Sequence, residues 1–478
     1  MSGTMARAAF SIGDRRTRLL EQPVTKVLFD LSWPMSLGLF SVIAINVTDT
    51  FYIGRLGSQE LAAIGFCFPV IFGMSAISIG MGNGGAAVVA RAIGAGQEDR
   101  AKALITSTLL FVLIFALMLA IIMLQVSDAV FLALGAPREL LPYINQFMTI
   151  WYSGLPLLVL PIVLNGLIRA AGEAKVPSGL MVLAAVINAV VSPFIIFGLF
   201  GMPELGMAGA ALATIIARLV ITVMAFTWLA RADLITASPS VLRSFLPCIA
   251  QVLRYGAPAF LAQLFSPIGS AIITRLLASS GPEAVAGFAV GARIEALVLI
   301  PFFALQTGIT PFIGQNVGAH EDMRLRLAER NVWAFAALWG GVGAVVLFAF
   351  GGSLASLFTE NAAIVAISDR YLEAISLGLW GAGLLFVAIG VFNPLGYPNV
   401  AMGMNALRCV VAYAGLATLG VMVFQQSPVE AVFRAAWLSY VIAGLASALL
   451  VRFLLQRPNR SDLKTTPEKQ PAAVGRST

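Results

Sequence analysis

The sequence predicts an all-α polytopic membrane protein, with twelve transmembrane helices in two pseudo-symmetric six-helix bundles. Three observations carry that expectation. Hydrophobic residues make up 59% of the chain and charged residues only 11%, against roughly 45–50% and 25% in ordinary soluble chains. Mean hydropathy is +0.91. Apolar runs of about 20 residues, long enough to cross a hydrocarbon core as helices, recur along the whole chain. Short segments also repeat between its two halves at one constant offset, position n against position n + 224.

The runs place spans at 27–54, 62–88, 103–126, 146–168, 179–200 and 206–229, then at 256–278, 285–314, 332–350, 371–394, 402–424 and 431–455. Gly and Pro inside them are tolerated because neighbouring helices re-satisfy the freed backbone groups. The alternating ten-residue segments of a membrane β-barrel are not found. Leu31-Ser-Trp-Pro34 matches Tyr255-Gly-Ala-Pro258, and Ile93-Gly-Ala-Gly96 matches Val317-Gly-Ala-His320. Arg-Ala-Ala-Gly172 aligns with Asn-Pro-Leu-Gly396 at the same offset. Each half holds an even number of spans, so the repeat is parallel, as in transporters whose halves rock about a central cavity. The expected layout is an N-terminal tail (1–26), an N-lobe (27–229), a linker (230–255), a C-lobe (256–455) and a polar, disordered tail from 456 that contains Pro458, Pro467 and Pro471.

Of 30 Lys and Arg residues, 22 fall on the side of the two termini and 5 on the other, while Arg218, Arg293 and Arg408 lie within spans. That bias places both termini in the cytoplasm and the protein in the inner membrane. The basic balance thus reports orientation, and no nucleic-acid partner is expected. The segment before the first span shows no signal peptide. Cys67, Cys248 and Cys409 are widely spaced and His320 is the one histidine, so neither a disulfide framework, a metal site nor His-based catalysis is indicated. A membrane enzyme would need a cluster of nucleophiles, acids or metal ligands, and none is found. No cofactor is expected beyond a coupling ion.

An ionisable residue within a span is a functional candidate by default. Asp49 lies late in the first span, with Asn46 one turn earlier on the same face. Shielding from bulk water disfavours its charged form, which suits a group that takes up and releases a proton; it also suits Na⁺ if other oxygens converge. Asn165, Asn188, Ser192 and Thr214, on the fourth to sixth spans, are the neutral polar residues that would complete a cation site, although interhelical hydrogen bonding also explains them. Glu295, in the eighth span, is either an interhelical brace or a transport residue; Arg293, two positions away, cannot face it on one helix. Arg218 and Arg408 read as snorkelling or capping side chains. Pro34 is a bending point in the first span. Met35, Asn46, Phe147, Asn165 and Glu295 are the candidates for lining a substrate cavity. Aromatic and Met residues such as Met35, Phe40, Phe66, Phe68 and Phe147 otherwise read as lipid-facing or core, and where they line the cavity they suit flat apolar cations.

Several motifs resemble the multidrug and toxic compound extrusion (MATE) transporters. They are Leu31-Ser-Trp-Pro-Met-Ser36, Asp49-Thr-Phe-Tyr-Ile-Gly-Arg-Leu-Gly57, Glu60-Leu-Ala-Ala-Ile-Gly65, Ala90-Arg-Ala-Ile-Gly-Ala-Gly96, Asn165-Gly-Leu-Ile-Arg169 with Gly172, and Gly206-Met-Ala-Gly-Ala-Ala-Leu-Ala-Thr214. The acid in the first span is similar to the DinF-type branch. The resemblance implies two lobes around a V-shaped cavity, and monomeric efflux of drugs and organic cations against H⁺ or Na⁺. It also implies Asp49 as the coupling carboxylate, with Asn165, Asn188 and Thr214 around it. Phe147 departs from members that carry Tyr there, and Ser192 from members that carry a second Asp; the loss of that acid tilts the expectation towards protons. The alternatives are a flippase for lipid-linked or other amphipathic metabolites and, from another class, the enzyme already disfavoured.

Overall fold

The computed structural model describes residues 12–201 and 203–456, without the side chains of Ser240 and Leu242. The tail expected from 456 therefore lies almost wholly outside the described residues. Among the described residues ten helices are long and apolar enough to cross a membrane, and two bent helix pairs, each taken as one span, complete twelve. Span 1 is Val24–Gly54, span 2 Ser58–Gly94, span 3 Glu98–Ala133, span 5 Lys175–Phe197 and span 6 Gly206–Arg231. Span 7 is Ser240–Ala278, span 8 Pro282–Gly318, span 9 Asp322–Ser356 and span 12 Pro428–Gln456. Span 11, Pro398–Met422, holds a π-helical stretch over Leu407–Gly415.

Spans 4 and 10 are the broken ones. Span 4 joins Arg138–Ser153 to Leu155–Ala170 at 55°, and span 10 joins Ala362–Ser376 to Leu379–Leu395 at 63°. The breaks fall at Gly154 and Gly378, which are equivalent positions of the repeat. Both glycines are pressed against a neighbouring span: a Cβ would lie 2.3 Å from Ile215 at the first and 2.8 Å from the Trp437 carbonyl at the second. The repeat extends to loop backbone. Gly96 has φ +71° and its counterpart His320 holds the same left-handed turn at φ +61°.

Two expectations about boundaries need correcting. Most spans are longer than a hydrocarbon core requires. Span 2 has 37 residues, about 55 Å at the helical rise, so it extends well beyond the bilayer's apolar slab. Among the described residues, the segments assigned as tail and linker are also largely helical. Helix α1, Ile12–Glu21, precedes span 1, and span 7 begins at Ser240, which leaves 232–239 as the connection.

The lobes have separate apolar cores, but the first turns of spans 1 and 7 are exchanged between them. Val24, Leu28 and Leu31 pack in the C-lobe core, and their counterparts Cys248, Val252 and Tyr255 pack in the N-lobe core. Small residues let the backbones meet where the helices cross. A Cβ on Gly84 would lie 2.5 Å from the Gly256 nitrogen, and one on Gly308 would lie 2.6 Å from Ser32 Oγ. Gly94 abuts Gln315 while Gly318 abuts Arg91, and Gly314 meets its own counterpart Ala90 at 2.6 Å. Each contact is thus repeated across a pseudo-two-fold axis. All lie towards the Lys/Arg-rich ends of the spans.

Helix α1 straps this seam. Arg16 donates to the Gly94 carbonyl at 2.9–3.0 Å and Arg18 donates to Gly172 O. From the C-lobe, Arg324 donates to the Leu19 and Gln22 carbonyls at 3.1 and 2.7 Å, satisfying groups that a helix end leaves open. Leu19 itself is buried in the C-lobe core.

Gly84→Leu would force a branched side chain into the Gly256 backbone. The expected cost is about 1–3 kcal/mol of overpacking, read as a lower melting temperature in detergent. Cys248, buried in the exchanged start of span 7, should become reactive to maleimide in the variant and stay protected in the parent.

Candidate functional site

Span 1 is one unbroken helix through Pro34, held on span 5 at three levels. Ser178 donates to the Pro34 carbonyl. Gly38 lets Met181 approach, with 3.0 Å between an added Cβ and its sulfur. The Tyr52 hydroxyl donates to Ala189 O at 3.3 Å. One turn below Tyr52, this places the Asp49 carboxylate beside Asn188 on span 5, with the Arg218 guanidinium of span 6 the cation acting on it. Asn188 Nδ2 donates to Thr214 Oγ1 at 3.2 Å, and Thr214 in turn donates to Ala210 O. Arg218 lies one turn beyond Thr214 and so shares its helix face.

The acceptors at this site are under-satisfied. Asp49 Oδ1, Asn188 Oδ1 and Ser192 Oγ are all buried without a hydrogen-bond partner. Buried polar atoms are nearly always paired, and leaving one unpaired costs roughly 1–3 kcal/mol. Oxygens from a carboxylate and an amide, with a hydroxyl one turn on, suit a proton or a small cation. Among the described residues no three His, Cys, Asp or Glu side chains converge as for a transition-metal site.

Not every expected residue joins the cluster. Asn46 is exposed. Asn165 is buried, with an unpartnered Oδ1, but it lies on span 4, where the next residue, Gly166, packs against Gly82 of span 2. Three residues expected to line a cavity are instead core: Met35 is 1% and Phe147 6% exposed. The third is Glu295, also 6% exposed. Met35 fails because the exchanged start of span 1 carries it into the C-lobe core.

Glu295 sits in a second polar cluster. Its Oε2 accepts from the Tyr371 hydroxyl at 2.5 Å and its Oε1 from the Tyr440 hydroxyl at 2.7 Å. Arg408, in the π-helical stretch of span 11, donates to the Tyr440 hydroxyl at 2.6 Å and stacks 4.3 Å from that ring's centre. π-Helical turns tend to mark functional or strained sites. Both Glu295 oxygens are occupied, which makes this carboxylate an interhelical brace in the observed geometry. Composition and spacing did not single out Tyr52, Tyr371 or Tyr440, and they suggested a peripheral role for Arg218 and Arg408. One signal was available: Tyr371 is the counterpart of Phe147 in the second half of the repeat.

Glu295→Ala would leave two buried hydroxyls and Arg408 without the carboxylate. Removing one member of such a network costs about 3–5 kcal/mol, so a large drop in melting temperature is expected. Glu295→Gln keeps an acceptor and should lose clearly less.

The MatE family model matches residues 34–194 and 258–417, two segments whose starts are themselves equivalent positions of the repeat. The chain is 31% identical over 406 residues to an FAD transporter of Shewanella oneidensis, covering 85% of this chain and 90% of that one. It is 26% identical to the probable multidrug resistance protein YoeA of Bacillus subtilis, over 71% of this chain and 76% of the relative. The crystal structure of the Vibrio cholerae MATE transporter VcmN in the bent form superposes with a TM-score of 0.85 at 30% identity, covering 90% of this chain and 97% of that one. Twelve spans in two matched halves, a buried acid in the first span and these likenesses agree: the chain belongs to the MATE family of efflux transporters, and is a transporter rather than an enzyme.

Proposed function

We propose that the protein exports drug-like, ring-bearing compounds, organic cations among them, in exchange for protons that load on Asp49. The observation that supports this reading is the unpartnered, buried Asp49 Oδ1 beside the equally unpartnered Asn188 Oδ1. A proton on Asp49 removes the charge and supplies a donor for that neighbour. Na⁺ is the weaker candidate. It needs several converging oxygens and gains from a second carboxylate, yet Ser192 stands where some members carry one. The Arg218 guanidinium acts on the same carboxylate, and a fixed cation repels a metal ion more than it hinders proton exchange.

The positive-inside bias puts the basic ends, and the sealed seam, on the cytoplasmic side of the inner membrane. The cavity then faces out. In the cycle we infer, Asp49 takes a proton from outside, and this neutralisation lets span 1 rearrange about Pro34 and substrate leave. The protonated protein turns inward, releases the proton to the cytoplasm and accepts the next substrate. A gradient of one pH unit is worth about 1.4 kcal/mol, enough for roughly tenfold accumulation at one-for-one exchange.

Proteoliposomes test the coupling ion directly. Ethidium movement should follow an imposed pH gradient at zero Na⁺ and not follow a Na⁺ gradient at symmetric pH; the reverse result would overturn the proton assignment. Asp49→Asn should abolish gradient-driven ethidium transport, and full transport by that variant would remove Asp49 from the mechanism.

A further inference from the structure

Helix α1 breaks the symmetry of the sealed end. Its counterparts, residues 236–245, form the connection and the first turns of span 7, and Pro247, the counterpart of Pro23, lies inside that helix. Pro23 instead separates α1 from span 1. Arg15, Arg16 and Arg18 correspond to the uncharged Pro239, Ser240 and Leu242. The arginine contacts of α1 are therefore an addition to the pseudo-symmetric glycine packing, made in one half of the repeat.

Those contacts divide at Leu19. Before it, α1 is held by the N-lobe. Ile12 packs in the N-lobe core, and the Arg15 guanidinium lies 4.8 Å from the centre of the Trp228 ring of span 6. Arg16 and Arg18 donate to the Gly94 and Gly172 carbonyls. Gly94 ends span 2 and Gly172 lies just past the end of span 4, where open carbonyls form the negative end of the helix dipole. From Leu19 onwards the same chain is held by the C-lobe. Leu19, Val24, Val27, Leu28 and Leu31 pack in its core. Arg324 and Asn316 donate to the Leu19 carbonyl, and Arg324 also to that of Gln22. Asn331 donates to Thr25 Oγ1 at 3.0 Å. The two attachments differ in kind. The C-lobe side rests on five buried aliphatic side chains, which resist separation through the apolar surface they would expose. The N-lobe side rests on one aliphatic side chain and three guanidiniums, and a guanidinium that leaves a carbonyl is taken up by water at modest net cost.

We propose that helix α1 is a releasable latch on the sealed end: when the lobes part there, Arg16 and Arg18 leave the ends of spans 2 and 4 while residues 19–31 stay with the C-lobe. Arg16 is then a positioning residue that sets how often this end opens. The proposal deepens the transport reading above, since it rests on the inward turn of that cycle.

Asp99 and Met323 are exposed counterparts at the starts of spans 3 and 9. Replaced by cysteine and spin-labelled in the full-length protein, they report the separation of the lobes at this end. At one neutral pH, without gradient or substrate, Arg16→Ala should enlarge the long-distance population about tenfold, the effect of losing charge-assisted hydrogen bonds. Arg16→Lys should restore part of the closed population. Thr17→Ala, at an exposed position of the same helix, should match the wild type. An Arg16→Ala distribution identical to that of the wild type overturns the proposal. A second measurement leaves the arginines intact. With a label on Thr17→Cys, acidification should lengthen the distance from residue 17 to 99 and leave that from 17 to 323 unchanged. The opposite pattern, or a fixed 17-to-99 distance while 99 and 323 move apart, overturns it too. If no distance responds to pH yet Arg16→Ala still enlarges the long-distance population, the coupling reading fails and the latch stands.

Discussion

The seam where spans 1, 2, 7 and 8 cross is the constraint on which the rest of the architecture depends. It is built from glycine facing backbone, at Gly84 against Gly256 and Gly308 beside Ser32, and from exchanged helix starts that tie each lobe to the other's core. Contacts of this kind have little tolerance for added volume. They can therefore separate and re-form as a unit, but not deform gradually. The pseudo-two-fold arrangement places the off-axis contacts twice, so the two lobes are held evenly at the Lys/Arg-rich end. Helix α1 lies across the closed end and is hydrogen-bonded to both lobes.

The repeat that builds the seam is not kept in the polar sites. Asp49, Asn188 and Thr214 have Ile273, Ala412 and Leu438 as counterparts, while Glu295, Arg408 and Tyr440 correspond to Ile71, Ala184 and Ile216. Symmetry serves packing, and each lobe has then specialised its interior. Spans 1 and 5 carry the unpartnered acceptors around Asp49, whereas spans 10 and 12 supply the hydroxyls that saturate Glu295 and Arg408 of span 11 donates to one of them. An unsatisfied site suits a group that must gain and lose a proton; a saturated one suits a brace. The two embedded acids therefore differ in their hydrogen-bond settings.

Much of this was legible in the sequence. Twelve apolar runs and the constant repeat offset gave the architecture, since hydrophobicity and periodicity record membrane exposure directly, and the scarcity of acids within spans singled out Asp49 as the leading candidate. Asn188 and Thr214 were found as polar residues on neighbouring spans, and the structure brings both to the Asp49 site. What escaped was set by tertiary contact. Met35 reads as a plausible cavity residue until span 1 is seen to start in the opposite lobe's core. Arg218 and Arg408 read as snorkelling side chains because a single sequence does not reveal the carboxylate or the tyrosine across the bundle.

The central claim is that the charge on Asp49 governs which end of the cleft is open. Gln59 and Glu283, exposed counterparts at the far ends of spans 2 and 8, report the opening when replaced by cysteine and spin-labelled, since the native cysteines are buried. Electron–electron distance measurements in lipid at acid and alkaline pH should show the far ends drawing together on acidification. Asp49→Asn should hold them in the acid arrangement at both values. An Asp49→Asn protein that keeps the wild-type response to pH would contradict the account.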